Sequence, residues 1–428
     1  MSVPKDWQTF KKMKGDTLLY FDFVLVFFFM SLGTTMVTIF GIATLYIWLF
    51  AGKIKGFGFI ARNSWFWPVL VFMVLPWAGL LYTPDLSGIG IDYASKSHYW
   101  LYTITVASIS FAVFPPERLI QAFLAGLALN ALVAIYQFAG LLPLTRGYEY
   151  RGFGEGYGVL SVFLIVGILV ASYYFGKAAE KKRKVLLSFL ILLYFFHLII
   201  MQGRAGYVTF LLLSPLVVHA LFRKIGFFKI LLACICLPSL MFLSPVVRER
   251  VRLSIDQLEY HMHAERDAAW GKEYSNQQDR FFMWYGAIHI FLEKPLLGVG
   301  TGGYQAAMKE RGKPGDPDMA HPHNNLLHMA VSYGIVGIIT YLWLFVETIK
   351  NAWKQKDEPV GFFVLSVALV IIVSGLFNTT VLDVGTLFLL AVAVGLQQTF
   401  PAFVNAGDTR AETHILGLNT HRARTSSS

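Results

Sequence analysis

Charge is scarce in this chain of 428 residues: only 14% are Asp, Glu, Lys or Arg, against 56% hydrophobic. A soluble domain carries about 25% charged residues, so there is too little polar surface here to cover a water-soluble body. That excludes a soluble enzyme and a disordered scaffold. Cysteine is nearly absent too. Cys234 and Cys236 are the only two; they lie inside an apolar run and too close together for a good mutual disulfide, which excludes a disulfide-built secreted domain. The sequence lacks a GxxxxGK[ST] phosphate loop, and its glycine-rich turn at 298–303 follows a helical pattern rather than a strand, so no nucleotide site is expected. It also lacks an internal repeat of the inverted-repeat transporter kind. Ionisable residues are rare in mid-span: Asp22 and Glu347 fall near span ends, while His197 and His219 are isolated, which argues against ion-coupled transport. The basic N-terminal segment runs straight into a full-length apolar stretch, so no cleaved signal peptide is expected.

What the chain does have is long apolar runs. A membrane helix needs about 20 apolar residues, and twelve spans are predicted, near 17–33, 35–52, 64–83, 98–114, 119–141, 157–176, 185–201, 207–222, 228–245, 325–346, 361–378 and 384–400. The fold class is therefore an all-α polytopic membrane protein. The net charge of +10 fits loop topology and an anionic lipid substrate. With the N-terminus inside, the cytoplasmic loops hold Lys5 to Lys14, Lys53, Arg62, the Lys177–Lys184 cluster, Lys350 and Lys354, whereas the short external loops hold only Lys96, Arg146, Arg151 and Arg204. This follows the positive-inside rule and places both termini in the cytoplasm. Four regions result: nine spans over 1–245, a large external loop over 246–322, three spans over 323–403 and a polar cytoplasmic tail over 404–428. The loop is too long to be idle connection. Within it, Phe281, Phe282, Tyr285, Ile288, Phe291 and Leu292 recur at helical spacing, predicting an amphipathic helix over 279–293 that lies on the outer leaflet or caps the bundle.

Polar residues at the external face are the candidates for chemistry. Arg204 stands in Met-Gln-Gly-Arg-Ala-Gly-Tyr between two apolar runs, where its planar fork suits a phosphate and the flanking glycines allow close backbone approach; a snorkelling interface anchor is the other reading. Arg151, in Glu-Tyr-Arg-Gly-Phe-Gly, follows the same logic in a looser loop. Arg280 opens the amphipathic helix, where a cation opposes the helix dipole, so an external anion or a plain pair with Asp279 explains it. His323, in His321-Pro-His323-Asn324-Asn325, sits at a helix start on the membrane surface, as a general base or as a cap. Asp316, Asp318, His321 and His323 could instead hold a metal, although aspartates beside Gly and Pro are commonly turn formers; His261 and His263 are a weaker metal pair. Trp284 and Trp270 could stack on sugar rings or anchor the chain at the interface.

These segments resemble the O-antigen ligase family, within the superfamily of ligases, polymerases and bacterial protein O-oligosaccharyltransferases. Residues 279–300 look like that family's arginine–helix–Pro-Leu-x-Gly-x-Gly stretch. His323-Asn324, nine residues, Gly334, two residues and Gly337 fit its histidine signature. Gly203-Arg204-Ala205 looks like its arginine between adjacent membrane helices. The resemblance implies a GT-C-like fold in the Gram-negative inner membrane with a periplasmic active site. It implies inverting, metal-independent transfer of a polysaccharide from undecaprenyl diphosphate to a sugar hydroxyl of lipid A–core, without a cofactor. The family's essential histidine then corresponds to His323 and its essential arginines to Arg204 and Arg280. Arg151, on physical grounds and not from the resemblance, is an expected substrate-binding residue, as are Asn324 and Trp284.

Three rivals stand beside the ligase. An O-antigen polymerase is associated with an Arg-x10-Gly pattern, but eleven residues beyond Arg151, Arg204 and Arg280 stand Val162, Pro215 and Phe291. A protein O-oligosaccharyltransferase uses the same donor with a Ser or Thr acceptor and often has a longer C-terminal region. A lipid-linked glycan transporter would form no glycosidic bond.

Overall fold

The computed structural model describes residues 7–53, 57–84, 86, 88–109, 111, 114–145, 150–154, 156–201, 203–222, 226, 236, 243–245, 247–249, 251, 252, 255, 280–311 and 319–400. Among these, regular structure is helical throughout. The chain runs through α1 (Trp7–Phe29), α2 (Thr34–Phe50), a one-turn helix (Phe57–Ile60) and α3 (Phe66–Gly79). Next come α4 (Ile89–Ser95), a 3-10 segment (Lys96–Trp100) and α5 (Leu101–Ala107) in direct succession. The long helices α6 (Glu117–Phe138), α7 (Tyr157–Lys177), α8 (Lys181–Ile200) and α9 (Arg204–Leu221) follow. After them stand α10 (Arg280–Glu293), α11 (Gly303–Arg311), α12 (Asn325–Lys354), α13 (Pro359–Ser374) and α14 (Val384–Leu396).

Five of these helices (α6, α7, α8, α9 and α12) are long and apolar enough to cross a membrane, and α2, α3, α13 and α14 are shorter apolar helices. The protein is a polytopic helical membrane protein. Eleven of the twelve expected spans fall on described helices. The ninth, 228–245, lies almost wholly outside the described residues, as do Asp279, Trp270, His261, His263, Asp316, Asp318 and the tail 404–428.

The core is built around α7. From Leu160 to Ala171 every side chain is buried, as expected of a helix that is apolar all round and therefore central. It packs against α8, α9 and α13, while α1 packs against α2 and α6. The outer helices keep large apolar side chains exposed, such as Phe21, Ile39, Phe50, Leu186 and Leu192. A surface of this kind is stable against lipid rather than water.

Two spans differ from expectation. The fourth, expected over 98–114, belongs to a helical run that starts at Ile89, tightens to 3-10 geometry at Lys96–Trp100 and stops at Ala107. Thr105 and Ser108 turn their hydroxyls onto the carbonyls of Tyr102 and Thr105 at 3.0 and 2.7 Å, local bonds that compete with helix continuation. The tenth span is not a continuous helix: α12 breaks at Gly334, whose backbone sits at φ 62°, ψ −147°. The 295–300 segment docks into that break. Val299 and Gly300 donate their N–H groups to the carbonyls of Val331 and Ser332 at 2.8 and 3.0 Å, and Ile335 donates to Pro295 at 2.8 Å. The orphaned backbone groups of the broken helix are thereby paired.

Glycine is required on both sides of this contact. A Cβ on Gly334 would lie 2.3 Å from the Leu296 carbonyl, and one on Gly298 (φ 67°) would lie 2.1 Å from the Val331 oxygen. The glycines of the loop and of the histidine signature are thus two halves of one joint. Gly334→Ala is expected to destabilise the protein by more than about 1 kcal/mol, read as a lower thermal midpoint in detergent. An unchanged midpoint would show that the joint is not needed.

Candidate active site

The site forms at the end of the bundle where α7, α9, α10 and α12 begin. Arg204 is the first residue of α9 and Arg280 the first of α10. Arg280 is largely buried, which holds its guanidinium below its ordinary pKa; the nearby cation of Arg204 pulls the same way and Tyr157 opposes it. Arg151 lies over the Tyr157 ring, 5.4 Å from its centroid. Arg151, Arg204 and Arg280 therefore gather around Tyr157, the first residue of α7. The N-caps of α7 and α9 are Gly156 and Gly203, and neither supplies a side-chain acceptor. Their positive dipole ends add to a field that favours an anion.

Buried polar side chains hold the Arg151 loop in place. Asn130 donates to the Arg151 carbonyl at 3.3 Å and accepts from Phe153 N–H at 2.8 Å, while Gln137 exchanges two 2.9 Å bonds with Gly152. His197, isolated in the sequence, places Nε2 at 3.1 Å from the Tyr150 carbonyl. Asn130 and Gln137 thus find their partners in one loop, which explains their presence in apolar helices.

On the facing side stands His323. It is the one non-glycine residue with positive φ (49°) among the described residues. Such a backbone costs roughly 1–3 kcal/mol and is retained where the surroundings over-determine it, often at functional sites. The following Asn324 caps α12: its side chain accepts from Leu327 N–H at 3.0 Å and donates to the Leu376 carbonyl at 3.0 Å. Asn325 ties the same loop, donating to Thr380 at 2.8 Å and accepting from Val381 N–H at 3.2 Å. Both asparagines thus staple the α13–α14 loop to the start of α12. That loop carries Asn378, which accepts from Arg280 Nη2 at 3.3 Å, and Thr379, whose hydroxyl lies 3.1 Å from His321 Nδ1.

The two histidine rings pack edge to face with centroids 4.3 Å apart. Burial, reinforced by His321 and Arg280, pushes the His323 pKa down to about 3. Burial and the Lys96 ammonium push His321 down to about 4. Both imidazoles are therefore neutral at physiological pH, so His323 can accept a proton. Beyond His321, a cavity lined by Tyr93, Lys96, Trp100, His328 and Tyr333 opens between α4 and α12.

The helix expected over 279–293 is α10, but its buried face is not the expected stripe. Met283, Ala287 and Ile290 are buried, while Tyr285, Ile288 and Leu292 are exposed. Both faces are apolar: one packs on α11 and α12, the other is exposed. Trp284 follows Arg280 by one turn on the same side of α10 and is half-buried. Sequence reasoning missed Tyr157, Asn378 and Thr379. The polar triplet Asn378-Thr379-Thr380 closing an apolar run was the available signal for two of them.

Fold and site together define a polytopic helical membrane protein with an arginine-rich, histidine-bearing site at one end of its bundle. Residues 189–342 match the O-antigen ligase family model, so the resemblance read from the motifs is borne out over that stretch. The match includes Arg204, Arg280 and His323 but neither Arg151 nor Asn378. A candidate polysaccharide ligase of Rickettsia conorii is 26% identical over 168 residues, 38% of this chain and 38% of that protein. A second, of Rickettsia prowazekii, is 26% identical over 161 residues, 36% of this chain and 37% of its own. The chain's similarity thus spans well under half the length of these relatives.

Proposed function

We propose that this protein is an O-antigen ligase of the Gram-negative inner membrane, moving a polysaccharide from undecaprenyl diphosphate to a sugar hydroxyl of lipid A–core on the periplasmic side. The observation that carries this reading is the gathering of Arg204 and Arg280 with His323 at one end of the bundle, inside a segment that matches the ligase family. In this reading the arginines bind the diphosphate and stabilise the charge that grows on it as the glycosyl–phosphate bond breaks, commonly the largest electrostatic contribution. His323 takes the proton of the acceptor hydroxyl. The freed oxygen attacks the anomeric carbon from the face opposite the diphosphate, forming the new C–O bond as the old one breaks. Configuration inverts, polyprenyl diphosphate departs, and the proton stays on His323 until solvent removes it. The positive-inside charge pattern supports cytoplasmic termini and a periplasmic site.

The test is a ligation assay on purified full-length protein in detergent, with undecaprenyl diphosphate-linked O-antigen and lipid A–core, with and without EDTA. A core-linked ladder that survives EDTA is the expected result. Polymer that grows on the lipid donor alone would make the protein a polymerase. Transfer only to a protein acceptor would make it an oligosaccharyltransferase, and a ladder abolished by EDTA would make metal part of the mechanism.

The pH dependence follows from the free-state histidine. Because its pKa lies near 3, the basic form persists as pH falls, and activity that depends on it is lost only as pH approaches that value. Asp383 is the other group to watch: burial raises it to about 6 against the pull of Lys96. In an Asp383→Asn background, kcat/KM, which reports the free enzyme, is expected to stay flat from about pH 8 to pH 5. An acid limb near 6.5 would mean an ordinary, solvated histidine.

A further inference from the structure

We infer that Asn378 is a donor-binding residue whose side-chain amide gives a neutral N–H to the lipid diphosphate while its carbonyl holds Arg280 in place. The inference rests on the ligase reading above and adds a contact outside the segment that matches the family.

The geometry is specific. Asn378 is 6% exposed. Its loop is fixed to α12 through Asn325 N–H on the Gly375 carbonyl at 2.7 Å, Asn324 on the Leu376 carbonyl at 3.0 Å and Asn325 on Thr380 at 2.8 Å. The amide's orientation is set by chemistry. Arg280 Nη2 approaches it at 3.3 Å, and a guanidinium only donates, so the atom facing it must be the oxygen. The NH2 group therefore points away from Arg280. Nδ2 is buried and has no hydrogen-bond partner. It faces the start of α7, 3.7 Å from where a Cβ on Gly158 would sit, beside Tyr157 and the uncapped end of that helix.

A buried amide donor is nearly always paired, and one left open in a native fold calls for an explanation. This one lies against the start of α7, next to the region where Arg151, Arg204 and Arg280 gather. A diphosphate oxygen lying there would accept its hydrogen bond, and the same ligand would offset most of the charge of the three cations. The bland alternative is that Asn378 only props Arg280.

Substitutions separate the two roles. Asn378→Asp keeps an oxygen for Arg280 and strengthens that contact, but turns the facing donor into an anionic oxygen. Asn378→Ala removes both. Binding of undecaprenyl diphosphate to the full-length protein in detergent is expected to weaken about 10-fold for Ala and about 100-fold for Asp, the scale of a hydrogen bond to a charged group and its replacement by repulsion. A prop requires the reverse order, and Asp binding like the parent protein would overturn the proposal. Gel filtration and thermal midpoint control for folding.

If the aspartate variant does not fold, an Arg280→Ala background decides. Asn378→Ala should cost a further 5-fold or so there if it touches the ligand itself, and nothing if it works only through Arg280. Failure of the parent protein to bind undecaprenyl diphosphate would bring down the donor reading and this inference with it. Binding by the parent and by Asn378→Asp alike would bring down the inference alone.

Discussion

Replacing His323 with alanine is expected to lower glycosyl transfer by about 10²–10⁴-fold, the usual contribution of a positioned general base, with the protein still folded. A sugar hydroxyl is a poor nucleophile until its proton is taken, and His323 is neutral at physiological pH because burial, His321 and Arg280 disfavour its cation. The same neighbours make it a weak base until an anion arrives; in the proposed reaction a diphosphate bound among the arginines would offset their repulsion and raise its basicity. A second variant separates chemistry from structure. His323→Gly removes the imidazole but accepts φ 49° without steric cost, so its thermal midpoint should match or exceed that of the alanine variant while transfer is equally lost. Full activity in either variant would remove His323 from the mechanism. Loss of donor binding with an unchanged chemical step would make it an orienting group instead.

The second large effect concerns the arginines. Arg204→Lys and Arg280→Lys are each expected to lower kcat/KM by about 10²-fold or more, the loss seen when one preorganised charge-stabilising donor is removed. Lysine keeps the charge but not the planar fork that meets two phosphoryl oxygens at once. Arg280 has the further constraint that its Nη2 is held by Asn378 at 3.3 Å, a bond a lysine ammonium at a different height cannot reproduce in place. If both lysine variants behave like the parent, the site needs positive charge only, and bidentate phosphate recognition is wrong. Arg151 lies over the Tyr157 ring at 5.4 Å, on a loop rather than at a helix start, so its replacement should raise donor KM more than it lowers kcat.

Membrane class was decided by composition, because apolar runs of bilayer length leave few alternatives to helices. The sequence also exposed Arg204, Arg280 and His323, since cations and histidines at the ends of apolar runs stand out against a background of 14% charge. It marked the glycines at 298, 300 and 334 as a pattern without giving their reason. That reason is tertiary: a broken α12 whose free backbone groups are paired by the 295–300 segment, with no room for a Cβ on either side. The break could not be read from hydropathy, which is insensitive to one residue's φ. The buried face of α10 was hidden for a related cause: the helix is apolar on both sides, and only its packing on α12 shows that Met283, Ala287 and Ile290 are the inner stripe.

The other half of the site also belongs to the tertiary structure. Asn378 and Thr379 lie far along the chain from Arg280 and His321, and nothing local in either stretch refers to the other. They meet because Asn324 and Asn325, next to the histidine, hydrogen-bond the α13–α14 loop. Sequence alone thus determined the solvent this protein lives in and the residue types that carry its charge. Which of those residues face one another, and which amide is left to meet a ligand, was decided by helix ends brought together across the bundle, since a side chain's partner depends on packing and not on its neighbours in the chain.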